Sequence, residues 1–293
     1  MREWKKVLSV VAVSCVAAAL MVSQAEAQRI GPPVQIVGAP VAAEAVPARH
    51  VFAIGSKIYW VNSAGEMYYH LVHQRRVDRH IRLRGNVVAV TGQETRHIFP
   101  IGGNRIIIVT NSGELWAMQI RGDVLQPPHR LGGVTIQDIQ NTRFMFPFGN
   151  RFIVINNAGD MWSYRVGRDT ISPPMLIGGH TRPQAGYVPQ FVFPYQGMIF
   201  VVAQNGEVWG WNPRGGRGHG RRMTGHGFTM RPDGRWLVQM NDRVYVIDAR
   251  GALFSHALIG FRPPTGAAPP GGAPPPGGEP PAHEAGAPVN GAD

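Results

Sequence analysis

Ile106-Ile107-Ile108-Val109-Thr110-Asn111-Ser112-Gly113-Glu114-Leu115-Trp116-Ala117-Met118 reads as strand, tight turn, strand. The first run is rich in β-branched residues. Asn-Ser-Gly punctuates it, and the glycine supplies the positive φ that a tight hairpin turn demands. The same pattern returns along the chain. Gly65, Gly113, Gly159, Gly206 and Gly251 stand 48, 46, 47 and 45 residues apart. Four are followed by an acid and an apolar residue (Glu66-Met67, Glu114-Leu115, Asp160-Met161 and Glu207-Val208), and Ala252-Leu253 is the fifth version. An aromatic stands three residues after each glycine: Tyr68, Trp116, Trp162, Trp209 and Phe254. A base stands eight residues before four of them, at Lys57, Arg105, Arg151 and Arg243.

Each unit has a further strand before the hairpin, around Phe99-Pro100-Ile101 or Phe146-Pro147-Phe148. Another follows it, around Arg130-Leu131-Gly132 or Leu176-Ile177-Gly178. Four strands in a unit of about 47 residues is the arithmetic of a propeller blade. A second glycine column, Gly38, Gly85, Gly132, Gly178 and Gly225, begins before the first hairpin. Val34-Gln35-Ile36-Val37-Gly38 is therefore a fourth strand without a blade of its own. The last unit runs into Pro263-Pro264 soon after Phe254 and lacks such a strand. Donating residues 34–38 to the last blade would close the ring and hide an exposed sheet edge. The expected fold is all-β: a five-bladed β-propeller of four-stranded antiparallel blades, closed by an N-terminal strand that completes the last blade.

The ends of the chain differ from this core. Residues 1–27 have a basic start (Arg2, Lys5, Lys6), an apolar run from Val7 to Val22 and the small-x-small site Ala25-Glu26-Ala27. These are the features of a cleaved export signal, which implies a secreted or periplasmic protein. A lipidated Cys15 is the rival reading, but Ala12 stands where such signals usually carry leucine. No other apolar run approaches the roughly 20 residues of a membrane helix. Cys15 is the only cysteine, so the expected mature chain has no disulfide and no thiol site. Residues 28–262 form the propeller. Residues 263–293, rich in Pro, Gly and Ala, read as a disordered tail.

The net charge is +11. After residue 27 the only lysine is Lys57, and every other base is arginine, whose fork suits carboxylate, phosphate and sulfate. Two segments concentrate it between third and fourth strands: Arg75, Arg76, Arg79, Arg82 and Arg84, and Arg214, Arg217, Arg221 and Arg222. They are candidates for contact with an anionic surface, and solvated loops are the plain alternative. The glycine-arginine segment resembles nucleic-acid tails, but an export signal argues against that partner. The aromatic column is read as packing between blades, not as a row of sugar platforms. The repeated acids are expected to face solvent or bond to nearby backbone. His70, His73 and His80 match no standard metal spacing and read as an exposed loop. The remaining acids form no obvious pair for glycoside hydrolysis, and no nucleophile elbow is present. No cofactor, metal or catalytic residue is expected.

Leu176-Ile177-Gly178-Gly179, Phe191-Val192-Phe193-Pro194 and Val201-Val202-Ala203-Gln204-Asn205-Gly206-Glu207-Val208-Trp209 resemble the tachylectin-type family of five-bladed propeller lectins. His97-Ile98-Phe99-Pro100 through Gly113-Glu114-Leu115-Trp116 is similar. The resemblance covers residues 34–262. It implies shallow sites for N-acetylated amino sugars between neighbouring blades, without metal or catalysis. The family's Gly-Gly-Trp is absent here, since the loops Gly85 to Arg96, Gly132 to Arg143 and Gly178 to Gln190 hold no tryptophan. Its sugar contacts therefore do not carry over. By position alone, the polar candidates in these loops are Gln93, Glu94, Gln137, Asp138, Gln140, Arg182 and Gln184. The first expectation is an exported carbohydrate-binding protein whose partner is a glycan or an anionic envelope polymer. The second is a scaffold that binds another protein or an anionic surface through its arginine-rich rim. A glycoside hydrolase is the third.

Overall fold

The computed structural model describes residues 29–41, 48–177, 189–213, 221–225, 228 and 234–260. Residues 1–27, read as an export signal, residues 263–293, read as a tail, and Arg182, Gln184, Arg214 and Arg217 lie outside the described residues. Five antiparallel sheets stand in a ring. Blade one is Ala48–Ile54, Lys57–Asn62, Met67–Leu71 and Ile81–Arg82, from axis to rim. Blade two is Thr95–Ile101, Arg105–Thr110, Leu115–Arg121 and His129–Arg130. Blade three is Thr142–Phe148, Arg151–Asn156, Met161–Arg165 and Met175–Leu176. Blade four is Pro189–Tyr195, Met198–Ala203, Val208–Trp211 and Arg221–Arg222. Blade five has Gly234–Met240, Arg243–Asp248 and Leu253–Ile259, and its rim strand is Val34–Gly38 from the other end of the chain. Val34 pairs with Ser255, Gln35 with Phe254 and Ile36 with Leu253. The innermost strands contact one another in sequence, and the fifth returns to the first.

The core is divided as the ring is. Five apolar clusters each lie between two successive blades, and the one that joins blade five to blade one holds Ile36, Val41, Ile58, Tyr245 and Leu253. A strand buried on both faces needs apolar residues in succession, which is why Ile106, Ile107, Ile108 and Val109 are all fully buried. Trp116, Trp162 and Trp209 of the aromatic column pack half-buried against these clusters, as expected of filling between blades.

Two features of the glycine columns go beyond turn geometry. In four of the blades the loop that leaves the blade folds back over that blade's own hairpin. Val88 N–H donates to the Gly65 carbonyl, Ile136 to Gly113, Phe228 to Gly206 and Val41 to Gly251, at 2.7 to 3.0 Å. Where the second column is described, it staples the rim to the next blade. Gly38 pairs in parallel with Val77, Gly85 with Leu125 and Gly133 with Ile171. A Cβ on Gly38 would lie 2.1 Å from the Val77 carbonyl oxygen. The column thus runs through Gly133, at φ +100°, and not through Gly132 as the period suggests, because the first hairpin of blade two is one residue longer, with three residues between Ile101 and Arg105 where blade one has two between Ile54 and Lys57.

Candidate functional site

The turns at the repeated glycines and the described parts of the loops between blades lie together on one face. There, between blades one and two, lies a cleft of about 180 Å³. Blade one supplies His50, Asn62 and Ser63, and the loop entering blade two supplies Gln93, Glu94 and Thr95. Val61, Val88 and Ile98 form the apolar part of its wall.

The polar groups are held in place. Asn62 Oδ1 accepts from the backbone N–H of Ala64 and Glu66, which locks the turn. Gln93 donates through Nε2 to Glu114 at 2.6 Å and accepts through Oε1 from Ser112 at 2.9 Å. An amide so engaged still has one N–H and one lone pair to offer. Glu94 accepts from Asn111 Nδ2 at 2.8 Å and meets Arg49 at 3.4 Å. His50 is pushed down to about 4, first by burial and then by the Arg49 charge, so it is neutral at pH 7. His97, one unit further along, is also pushed down to about 4, by burial, then by Arg96 and His50.

These two histidines stand where the other blades have Phe144, Phe191 and Trp236, aligned by strand register. Their protons are excluded in the native state but accepted near 6.5 once the chain unfolds. The sign follows from linkage. Stability is full above about 6.5 and falls with pH toward the native value near 4. Thermal melts should therefore show Tm dropping through this window. Replacing both residues, His50→Phe and His97→Phe, should flatten the drop. An equally steep fall in the double variant would place the acid sensitivity elsewhere.

Of the seven loop candidates, the structure brings Gln93 and Glu94 into the cleft. Gln137, Asp138 and Gln140 lie at the next junction, and the bonds found there hold the loop together. Asn141 Nδ2 donates to Asp138 at 2.7 Å, and Arg96 donates to Gln140 Oε1 at 2.9 Å. Arg182 and Gln184 are not described. Asn62, Ser63 and His50 are added by the structure; the turn that precedes each repeated glycine signals Asn62 and Ser63, whereas His50 lies on the innermost strand.

The repeated acids differ from expectation. They bond to side chains, and three reach an arginine on the rim strand: Glu66 to Arg82 and Glu114 to Arg130, each at 2.6 Å, and Glu207 to Arg222. Hydrogen bonds from Asn62 and Tyr68, and then the Arg82 charge, hold Glu66 below the usual carboxylate range against an opposing effect of desolvation. Arg82 and Arg222 therefore have carboxylate partners within the fold. Arg76 lies 3.1 Å from Asp78. Arg75, Arg79 and Arg84 are exposed, with no ion pair found among the described residues. Arg221 lies on the blade-four rim strand. In the histidine segment His73 is exposed as expected, but the other two histidines are not in an exposed loop. His70 is buried with Nδ1 2.9 Å from the Asp78 carbonyl oxygen, and His80 lies edge-on to Trp60 and Tyr68. Among the described residues no group of His, Cys, Asp and Glu could hold a metal ion. No helix among them is long and apolar enough to cross a membrane.

No family model matches the chain, and no curated protein does. Solved structures of propeller shape are similar. Human WBSCR16 is 13% identical over 74% of this chain and 59% of its own, with a TM-score of 0.37. The chain thus spans about three fifths of that protein. PorZ, a surface component of the type-IX secretion system of Porphyromonas gingivalis, is 12% identical over 76% of this chain and 27% of its own, with a TM-score of 0.38. Myxococcus xanthus glutaminyl cyclase is 10% identical over 79% of this chain and 97% of its own, with a TM-score of 0.47. Likeness at these values bears on neither activity nor ligand.

Proposed function

We propose that the chain is an exported, non-catalytic binding protein that takes a glycan in the cleft between blades one and two. The observation that carries this reading is the cleft itself: fixed amide groups and two hydroxyls beside an apolar wall, at a junction of two blades. A sugar presents hydroxyl edges and C–H faces, and needs polar groups and apolar surface side by side. Shallow sites with a few placed polar groups give orientation without chemistry. Among the described lining residues Glu94 is the one carboxylate, and Asn111 and Arg49 hold it. Glycoside hydrolysis draws on two. The export signal supports a secreted or periplasmic site of action.

The test is a glycan array at low and high salt, run with wild type and Gln93→Ala. Binding should survive high salt, because it rests on neutral hydrogen bonds and apolar contact. Gln93→Ala should weaken it about tenfold, the loss of one buried hydrogen-bonding group. No signal at either salt would sink the glycan reading. A second reading, a rim that grips an anionic surface or another protein, is favoured by exposed Arg75, Arg79 and Arg84. It predicts binding that vanishes as salt screens the charges. Turnover of an arrayed glycan, lost in Glu94→Gln, would instead establish hydrolysis.

A further inference from the structure

All five innermost strands carry a β-bulge at the same place. The register breaks between Ala48 and His50, between Thr95 and His97, between Thr142 and Phe144, between Pro189 and Phe191, and between Gly234 and Trp236. The unpaired residues are Arg49, Arg96, Arg143, Gln190 and Arg235. A bulge leaves one residue outside the ladder and re-aims its side chain. Because the innermost strands touch one another in a closed ring, these residues encircle one mouth of the axial channel. We propose that this mouth is an oxyanion site, in which Arg49, Arg96, Arg143 and Arg235 bind a compact polyvalent phosphate or sulfate group. The site does not depend on the glycan reading.

The plain alternative is that these arginines only tie each blade to the next. Three of them do reach the neighbouring blade. Arg49 meets Glu94, Arg96 donates to the side chain and carbonyl of Gln140, and Arg143 donates to the Pro189 carbonyl at 2.6 Å. Tying explains hydrogen bonding at the position, but not charge, since Gln190 fills it in blade four. The partner of Arg96 just named is neutral, so its guanidinium group keeps its charge. Arg49 has a carboxylate, yet at 3.4 Å, with the two side chains 54% and 65% exposed. Arg235 is exposed, with its guanidinium carbon 5.6 Å from the Trp236 ring centroid. Stacking on a ring face leaves the N–H edge of a guanidinium available to oxyanions. Four cations around one opening form a focused positive field. His50 and His97 report it: beyond burial, Arg49 and Arg96 push them down.

Titration calorimetry of the chain with inorganic tripolyphosphate tests this. Wild type should bind one equivalent. The double variant Arg96→Gln and Arg235→Gln should lose about tenfold or more in affinity while melting like wild type, because glutamine already serves at this position. Neither residue lines the cleft between blades one and two, so failure here leaves the glycan reading standing, and the reverse also holds. The rim variant Arg75→Gln and Arg79→Gln should bind as wild type does. An equal loss in the rim variant, full affinity in the ring variant, or no binding by wild type would each overturn the proposal. Vesicles carrying phosphatidic acid tell a tethered phosphate from a free one. Vesicle binding that the ring variant loses would place the group on a lipid, and tripolyphosphate binding alone would place it in solution.

Discussion

Gly113→Val should lower the stability of the propeller by about 4 kcal/mol or more, seen as a fall of roughly 10 °C in Tm. Two penalties combine. Gly113 has φ +81°, a region that a β-branched residue enters only under strain. Its Cβ would also lie 2.2 Å from the Ile136 carbonyl oxygen, against backbone that cannot yield cheaply. The loop over the hairpin would have to lift. That breaks the 2.9 Å bond from Ile136 N–H to Gly113 and uncovers Ile136, which is buried beside Leu131 and Phe152. Gly102→Val separates the two effects. Gly102 has φ +56° with nothing within 4 Å of its Cβ, so the conformational penalty of about 1–2 kcal/mol is all that it should show. Equal melting temperatures for the two variants would mean that the exit loop does not dock on the turn.

Deleting residues 29–41 should abolish the cooperative unfolding transition. The segment buries Ile30, Ile36 and Val41, each within 5% of complete burial. At about 2 kcal/mol apiece their loss is comparable to the whole stability of an ordinary domain. It also removes the ladder partner of Leu253, Phe254 and Ser255, and leaves the edge of the last sheet bare. The shortened chain should aggregate or melt without a sharp midpoint. A synthetic peptide of residues 29–41 should restore the transition. A deletion variant that melts sharply at the wild-type temperature would show that the ring holds without its fastener.

The architecture was legible because one conformational demand recurs at a fixed interval. Only glycine tolerates the turn at Gly65, Gly113, Gly159, Gly206 and Gly251, so the period survives where side chains diverge. The unpaired strand at residues 34–38 followed from counting. The site was only partly legible. Position brought Gln93 and Glu94 to the cleft, but Asn62 and Ser63 enter from a turn that the reading treated as structural. The ion pairs Glu66–Arg82 and Glu114–Arg130 join residues 16 apart across a short strand, and no local pattern announces them. The channel arginines had a signal that position supplies: Arg49, Arg96 and Arg143 are 47 residues apart each time. What the period alone does not reveal is the bulge that sets them outside the ladder.

The pairing of residue 36 with residue 253 has a consequence in time. A strand made before any of the blades must wait for the last of them. Until then blade one lacks its neighbour on one side, and the cluster holding Ile58 and Tyr245 is half built. Contacts so distant along the chain form late and slowly. A polypeptide of this design therefore cannot close its ring until residues 253–255 have been made.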